Sequence, residues 1–164
     1  MKTTKSSKIT TPIITSSELL EHWQGHRRLT RKMIEIFPEK EFFNYTIGGM
    51  RTASQLIEEL LSIAVPGLRQ IASGKMEEQV HHIDFKGDKN RVLELWDEAT
   101  ADINENWAQV SDERFRDDIV TFGQYPGTVW SSIFYFIDNE IHHRGQAYVY
   151  LRSLGIEPPF FWER

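Results

Sequence analysis

Four stretches of this chain place apolar residues at helical spacing, and this pattern constrains the fold more than any other feature of the sequence. In each stretch the apolar positions recur every three or four residues, and capping residues or helix breakers lie at the ends. The predicted helices run from about residue 17 to 37, from 52 or 54 to 73, from 88 to about 110, and from 128 to 154. The last is the longest and most apolar, so we expect it to lie at the centre of the molecule.

The segments between the predicted helices carry glycines and prolines without a sustained period. Residues 39–50 predict a loop whose aromatic side chains cover the end of the core, and residues 111–127 predict a plain connection. Two connections are long enough to cross a helical bundle. We therefore expect one all-α domain over residues 1–164, a four-helix bundle with long crossover connections, with a polar leader at 1–15.

Composition excludes several classes of function. The chain has 164 residues, of which 40% are hydrophobic, enough for one domain with a proper core. A formal net charge of -5 disfavours nucleic-acid binding. No segment has the apolar length of a membrane span or a signal peptide, so we expect a cytoplasmic protein without membrane contact. The chain has no cysteine, so any protein ligands to a metal must be His, Asp, Glu or an amide.

The candidate catalytic or metal-binding side chains of the sequence include six histidines: His22, His26, His81, His82, His142 and His143. The first two are four residues apart on one helix, a spacing that suits a metal, but no third ligand accompanies them. A solvated or edge-packed pair is the favoured interpretation. The adjacent His81 and His82 diverge, and we interpret them as surface residues.

The predicted last helix carries a polar run from residue 138 to 146 inside an otherwise apolar sequence. Three pairs in it are four residues apart: Asn139 with His143, Asp138 with His142, and Glu140 with Arg144. Polar groups inside a core helix require partners. From the residues alone, the favoured interpretation is two surface pairs and one buried, hydrogen-bonded histidine.

Two motifs resemble a known family. The run from Glu140 to Gln146, followed by Tyr148, Tyr150–Arg152, Gly155 and Pro158–Pro159, resembles the last helix of the DinB-like (DinB/YfiT) superfamily. Residues 49–52 leading into 55–57 resemble the start of that family's second helix. The resemblance implies a four-helix bundle with two crossovers, a homodimer, and a divalent metal held by three histidines. One comes from the second helix and two come from an HxxxH motif on the last.

Carried onto this sequence, the ligand positions of the family fall on Glu59, Asn139 and His143, with Glu58 as the alternative on the second helix. Only one of the three is histidine. The resemblance implies one divalent ion, and the candidates are Ni, Zn, Mn and Mg, of which carboxylate and amide oxygens favour Mg²⁺ or Mn²⁺. The alternative is a metal-free site in which Glu59 pairs directly with His143.

Three further residues are expected beside the implied site: Glu58, His142 and Arg144. The first implied function is a divalent-metal-dependent enzyme of thiol-transferase or hydrolase type. Its substrate would be a small-molecule thiol or an apolar compound, since the chain has no thiol of its own. The second is a metal-free, non-catalytic, stress-associated module that binds a partner or dimerises.

Overall fold

The computed structural model describes residues 12–164 and shows a mainly helical protein. Of the predicted leader, residues 1–11 lie outside the described residues. The helices are α1 (Ser16–Ile36), α2 (Glu39–Asn44), α3 (Ala53–Ser73), α4 (Lys89–Trp107) and α5 (Val129–Ser153). A short 3-10 helix (Asp112–Arg116) and two strands, β1 (Asp118–Thr121) and β2 (Tyr125–Thr128), lie between α4 and α5.

Three of the four long helices begin with the same device, a capping box. A threonine side chain accepts a hydrogen bond from the backbone N–H three residues later, and the side chain of that later residue bonds back to the cap. The pairs are Thr15 with Glu18, Thr52 with Gln55, and Thr128 with Ser131. Helix α3 ends at Gly74, whose φ of 71° lies in the left-handed region that favours glycine. These local signals explain why the predicted helix starts and stops agree with the structure to within a few residues.

The long helices pack around one core. Helix α1 packs on α4 and α5, and α3 packs on the same two helices. The largest side chains in the core are fully buried and come from all four helices; they include Trp23, Leu68, Trp96 and Tyr150. The segment after α1 leads through α2 to α3, whereas α1 packs mainly on α4 and α5. The segment after α4 leads to α5, whereas α4 packs mainly on α3 and α1.

Two expectations for the connections were wrong. Residues 39–50 contain the short helix α2, although Phe42 is buried and its neighbours cover the core as predicted. Residues 111–127 contain the 3-10 helix and an antiparallel hairpin, in which Asp118 pairs with Thr128 and Thr121 with Tyr125. The prediction of an all-α fold is therefore correct for the long helices, but it did not include the small two-stranded sheet. Strands of four residues are too short to show alternation in a sequence.

The hairpin is held to α3 by one buried side chain. The Gln70 side-chain amide donates to the carbonyl of Val120 at 3.0 Å and accepts from the N–H of Phe122 at 2.9 Å. Phe122 occupies the left-handed region with a φ of 55°, which is unusual for a bulky residue. This double contact fixes the turn of the hairpin against the helix.

Within residues 12–164, none of the helices combines the length and the apolar character that crossing a bilayer requires.

Candidate functional site

A cavity of about 600 Å³ opens between α3, α5, the hairpin and the segment that joins α3 to α4. Helix α3 contributes a polar face, since Gln55, Glu59 and Ser62 follow one another at helical spacing. The remaining walls come from Arg51, Glu58, Ile63, Gln79, Val80, His81, Thr121, Phe122, Tyr125, Pro126, Ser131, Ser132, Tyr135 and Phe136. The volume is typical of a site for a small organic molecule, and the lining mixes aromatic with polar side chains.

Glu59 on the cavity wall joins α3 to α5 and to the segment before α3. Its Oε1 lies 3.0 Å from Nε2 of His143 on α5, and its Oε2 accepts a charge-assisted hydrogen bond from Nη1 of Arg51. The Glu59 side chain is 23% exposed and that of His143 only 5%. A second guanidinium nitrogen of Arg51 lies 3.5 Å from Nε2 of His143. The three side chains form a carboxylate–imidazole–guanidinium cluster, called the Glu59 cluster below.

The partners in this cluster determine where its protons lie. Burial by itself would raise the pKa of Glu59, but the hydrogen bonds and charges of His143 and Arg51 outweigh burial and lower that pKa. Glu59 is therefore ionised at neutral pH and can only accept hydrogen bonds. It follows that Nε2 of His143 carries a proton and donates it to Glu59, while Nδ1 contacts Oε1 of Gln146 at 2.8 Å.

The residues present do not fit a divalent metal as they are arranged. A metal ligand histidine needs a free ring nitrogen, whereas both nitrogens of His143 already have hydrogen-bonding partners, Nε2 at Glu59 and Nδ1 at Gln146. The guanidinium of Arg51 already supplies positive charge to the same carboxylate. Asn139, the third predicted ligand, borders a narrow crevice beside Leu60 on α3 and makes no hydrogen bond to Glu59 or His143 among the described residues. Residues 12–164 contain no group of three His, Asp or Glu side chains arranged to hold a metal ion.

The structure separates the three residues expected beside the site. Glu58 lines the cavity, and its Oε1 accepts from the N–H of Ile83 at 2.8 Å and lies 3.0 Å from Nδ1 of His82. His142 is exposed and touches only the rim of the cluster, its ring packing against the ring of His143. Arg144 points away from the cavity, towards α1.

Several residues of the cavity were not identified from the sequence as part of the site. Arg51 lies in the motif of residues 49–52, but its position in the sequence did not indicate a contact with Glu59. His81 and His82 are exposed, as predicted, but the sequence did not indicate that His81 lines the cavity or that His82 contacts Glu58. The hairpin wall was missed with the hairpin itself.

A second polar cluster lies on a neighbouring face of α5, towards α1. Glu140 and Arg144, predicted as a surface pair, are both buried, and Glu140 accepts a 2.6 Å hydrogen bond from Thr30. The guanidinium of Arg27 lies 3.8 Å from the other carboxylate oxygen. The expectation of a surface pair was wrong because α5 is covered by neighbouring helices on both of these faces.

Of the pair expected to be solvated or packed at an edge, His22 is exposed and His26 is buried, with 4% of its surface exposed. Its Nδ1 accepts a hydrogen bond from Arg144 at 2.9 Å, and its Nε2 lies 3.2 Å from Nε2 of His22. Burial, together with the charges of Arg144, His22 and Arg164, lowers the pKa of His26 to about 3. The imidazole is neutral at physiological pH and acts as an internal hydrogen-bonding group.

The fold and the site together define a mainly helical domain with an open cavity beside a carboxylate and an imidazole carried by two of its helices. The family model described as "DinB family" matches residues 1–163, and the chain belongs to that family.

Relatives support this assignment over nearly the whole chain. An uncharacterised protein of Bacillus subtilis (strain 168), YjoA, is 24% identical over 151 residues, which cover 91% of this chain and 97% of YjoA. The crystal structure of YjoA superposes with a TM-score of 0.70 at 20% identity, covering 89% of this chain and 99% of YjoA. A DinB-like protein from Bacillus cereus ATCC 10987 gives a TM-score of 0.71 at 17% identity over 88% and 95% of the two chains.

A more distant structural neighbour is an enzyme. The mycothiol-dependent maleylpyruvate isomerase superposes with a TM-score of 0.61 at 14% identity, covering 80% of this chain and 60% of the isomerase. At this identity the likeness concerns the fold alone.

Proposed function

We propose that this protein is a metal-independent, small-molecule-binding member of the DinB family, with the cavity beside Glu59 as its binding site. The observation that carries the proposal is the Glu59 cluster, in which Arg51 supplies positive charge to the carboxylate and His143 donates a hydrogen bond to it. We further infer that the long helices form a four-helix bundle with two crossover connections, since α1 and α3 share the same two packing partners.

The lowered pKa of Glu59 favours binding over proton abstraction. A general base works best when its pKa lies near the operating pH, and the Arg51 and His143 contacts move Glu59 away from that range. The same contacts fix the carboxylate in one ionised orientation, which suits a group that recognises a ligand. His143 acts here as a positioning residue, since it reaches the cavity only through Glu59.

The second candidate is a divalent-metal-dependent transferase or hydrolase that uses Glu59, Asn139 and His143. The direct contact between Glu59 and His143 on two different helices favours it, as does the fold of the mycothiol-dependent isomerase. This function requires Arg51 to leave Glu59 and His143 to lose its Nε2 proton, and the metal-independent proposal requires neither.

Metal content separates the two candidates. We expect protein purified without chelator or added metal to contain far less than one equivalent of metal by elemental analysis, and to show no saturable heat on titration with Mn²⁺, Zn²⁺ or Ni²⁺. The Arg51→Ala variant, which frees the carboxylate, is measured in parallel. Near-stoichiometric metal in the wild type, lost in both Glu59→Gln and His143→Ala, would overturn the proposal.

Ligand binding is tested by protein-observed NMR with a fragment library containing anions, cations and neutral compounds. We expect hits whose largest shift changes fall on the amides of residues 55–63, 118–128 and 131–136, the walls of the cavity. If no fragment perturbs these amides while the protein remains folded, the cavity is not a binding site.

A further inference from the structure

The charged groups on the cavity wall leave an excess of negative charge. Two carboxylates, Glu58 and Glu59, face one guanidinium, that of Arg51. The Arg51 charge is engaged at short range by Glu59, so it is not free to attract an anion. Two carboxylates against one guanidinium leave a formal charge of -1 on the wall, and an anionic ligand would meet two carboxylates in a partly desolvated site.

Glu58 offers the free acceptor. Its Oε1 is engaged by the N–H of Ile83 and by His82, and these contacts fix the orientation of the carboxylate. Its Oε2 accepts no hydrogen bond from any of the residues that the structure describes. The side chain is only 23% exposed. A half-buried carboxylate oxygen with no protein partner, on the wall of a cavity, is suited to a donor on a ligand.

Aromatic rings complete the wall. Tyr125, Tyr135, Phe122 and Phe136 line the side of the cavity formed by α5 and the hairpin. Burial raises the pKa of Tyr135, and the charge of Glu59 raises it further, so this phenol lies in the negative field of the carboxylate. Aromatic faces attract an organic cation, whereas they offer no ligand atoms to a hydrated metal ion.

We propose that the cavity binds a small organic monocation, an amine in its ammonium form, with the ammonium group against Glu58 and Glu59 and the carbon skeleton against Tyr125 and Tyr135. This inference rests on the proposed function of the cavity as a binding site. It adds the charge and the chemical class of the ligand. A cavity of about 600 Å³ accommodates a molecule larger than a simple alkylamine.

Three probes of matched shape test the charge preference: phenethylamine, 2-phenylethanol and 3-phenylpropionate. Each is titrated by NMR at pH 7 into the wild-type protein. We expect the ammonium to bind on the order of 10-fold more tightly than the alcohol, and the carboxylate to bind more weakly than either. Equal or tighter binding of the carboxylate, or no measurable binding of phenethylamine, would show that the ligand class is wrong.

Two variants assign the preference to the cavity wall. Glu58→Gln should weaken phenethylamine binding by roughly 5- to 10-fold and leave the alcohol nearly unchanged. Glu98→Gln is the matched control, because it removes the same charge from an exposed position on α4. Tyr135→Leu should reduce the preference for the ammonium over the alcohol by about 3-fold or more. Equal effects of Glu58→Gln and Glu98→Gln would contradict a local role for Glu58.

The outcomes separate this inference from the proposed function. If the fragment library yields cavity hits that are all anionic or neutral, the cavity binds small molecules and the inference about the cation is wrong. If no fragment of any charge perturbs the cavity, the proposed function itself fails.

Discussion

Glu140 is the one acidic side chain among the buried residues of the described chain, with 2% of its surface exposed. It lies between two cations, since the guanidinium groups of Arg27 and Arg144 each approach one of its oxygens at 3.8 Å. Arg27 is itself fully buried and stacks over the ring of Trp96, with 3.6 Å from its guanidinium carbon to the ring centroid. The carboxylate is the counter-charge that makes these two buried cations tolerable.

We predict that Glu140→Gln destabilises the protein by about 3 to 5 kcal/mol, because it leaves Arg27 and Arg144 buried without a compensating charge. Urea denaturation followed by circular dichroism measures the change. Asp138→Asn is the matched control: it removes a carboxylate two residues away on the same helix, at an exposed position, and should change stability by about 0.5 kcal/mol or less. Equal effects of the two substitutions would contradict this account of the buried cluster.

At the site, the sequence offered the contact between Glu59 and His143 as the alternative to a metal held by Glu59, Asn139 and His143, and it did not predict the environment of that contact. The family motif placed both residues on facing helices, and the structure brings them to 3.0 Å. Arg51 was not assigned to the pair because an arginine in a loop before a helix can reach many positions. The pairing of Glu140 with Arg144 was predicted correctly, but the pair was expected at the surface and is buried. Helical spacing shows which residues share a face of a helix, and it does not show whether another element covers that face.

At the scale of whole elements, the close approach of α3 and α5 depends on one residue without a side chain. Gly67 lies in α3 directly beneath the ring of Phe136 on α5. A Cβ atom built at Gly67 would lie 2.3 Å from the ring atom Cζ, far inside van der Waals contact. Phe136 is buried, so its ring can yield only by moving towards the cavity that it also lines.

We predict that Gly67→Ala lowers stability by about 1 to 3 kcal/mol through overpacking, despite the higher helix propensity of alanine. Gly145→Ala provides the opposite case on α5, because a Cβ there meets no atom within 4 Å. That substitution should raise stability by roughly 0.5 to 1 kcal/mol. Thermal unfolding of the two variants measures whether each substitution raises or lowers the stability. A stabilising Gly67→Ala would show that the helices separate easily at this crossing.

The elements of this fold differ in how well the sequence predicts them. The long helices are marked by their caps, such as Thr52 and Thr128, and by Gly74, and their bounds could be predicted to within a few residues. The hairpin could not be predicted, since its position depends on the contact of Gln70 with a segment 50 residues later in the chain. Local patterns fix local elements, and long-range hydrogen bonds fix the rest.

At the scale of the whole molecule, membership in the DinB family and the mainly helical fold are confirmed. The homodimer, the divalent metal and the thiol substrate that the resemblance implies stay predictions. Charged residues form two clusters on neighbouring faces of α5: the partly exposed Glu59 and Arg51 contact His143, and the buried Arg27 and Arg144 surround Glu140. Helix α5 therefore links the cavity to the polar core between α1 and α5.

That polar core makes the stability of the molecule depend on pH through His26. The pKa of His26 is lowered to about 3 in the folded protein, against 6.5 for an unperturbed histidine. Above pH 6.5 the residue is neutral in both states and contributes no pH dependence. Between pH 6.5 and 3 the unfolded chain binds a proton that the folded protein does not, so stability falls as the pH falls.

We predict that the free energy of unfolding decreases steadily from pH 7 to pH 5, measured by urea denaturation at fixed ionic strength. The range from pH 7 to pH 5 lies above 4.5, the pKa of an ordinary glutamate, so the lowered pKa of Glu59 adds little to the slope. His26→Gln should flatten most of this slope, and His22, whose pKa is also lowered by burial, should account for part of the remainder. His142→Gln, an exposed histidine on α5, is the control and should leave the slope unchanged. A wild-type protein equally stable at pH 7 and pH 5 would mean that His26 accepts its proton in the folded state, with Arg144 displaced from its ring nitrogen.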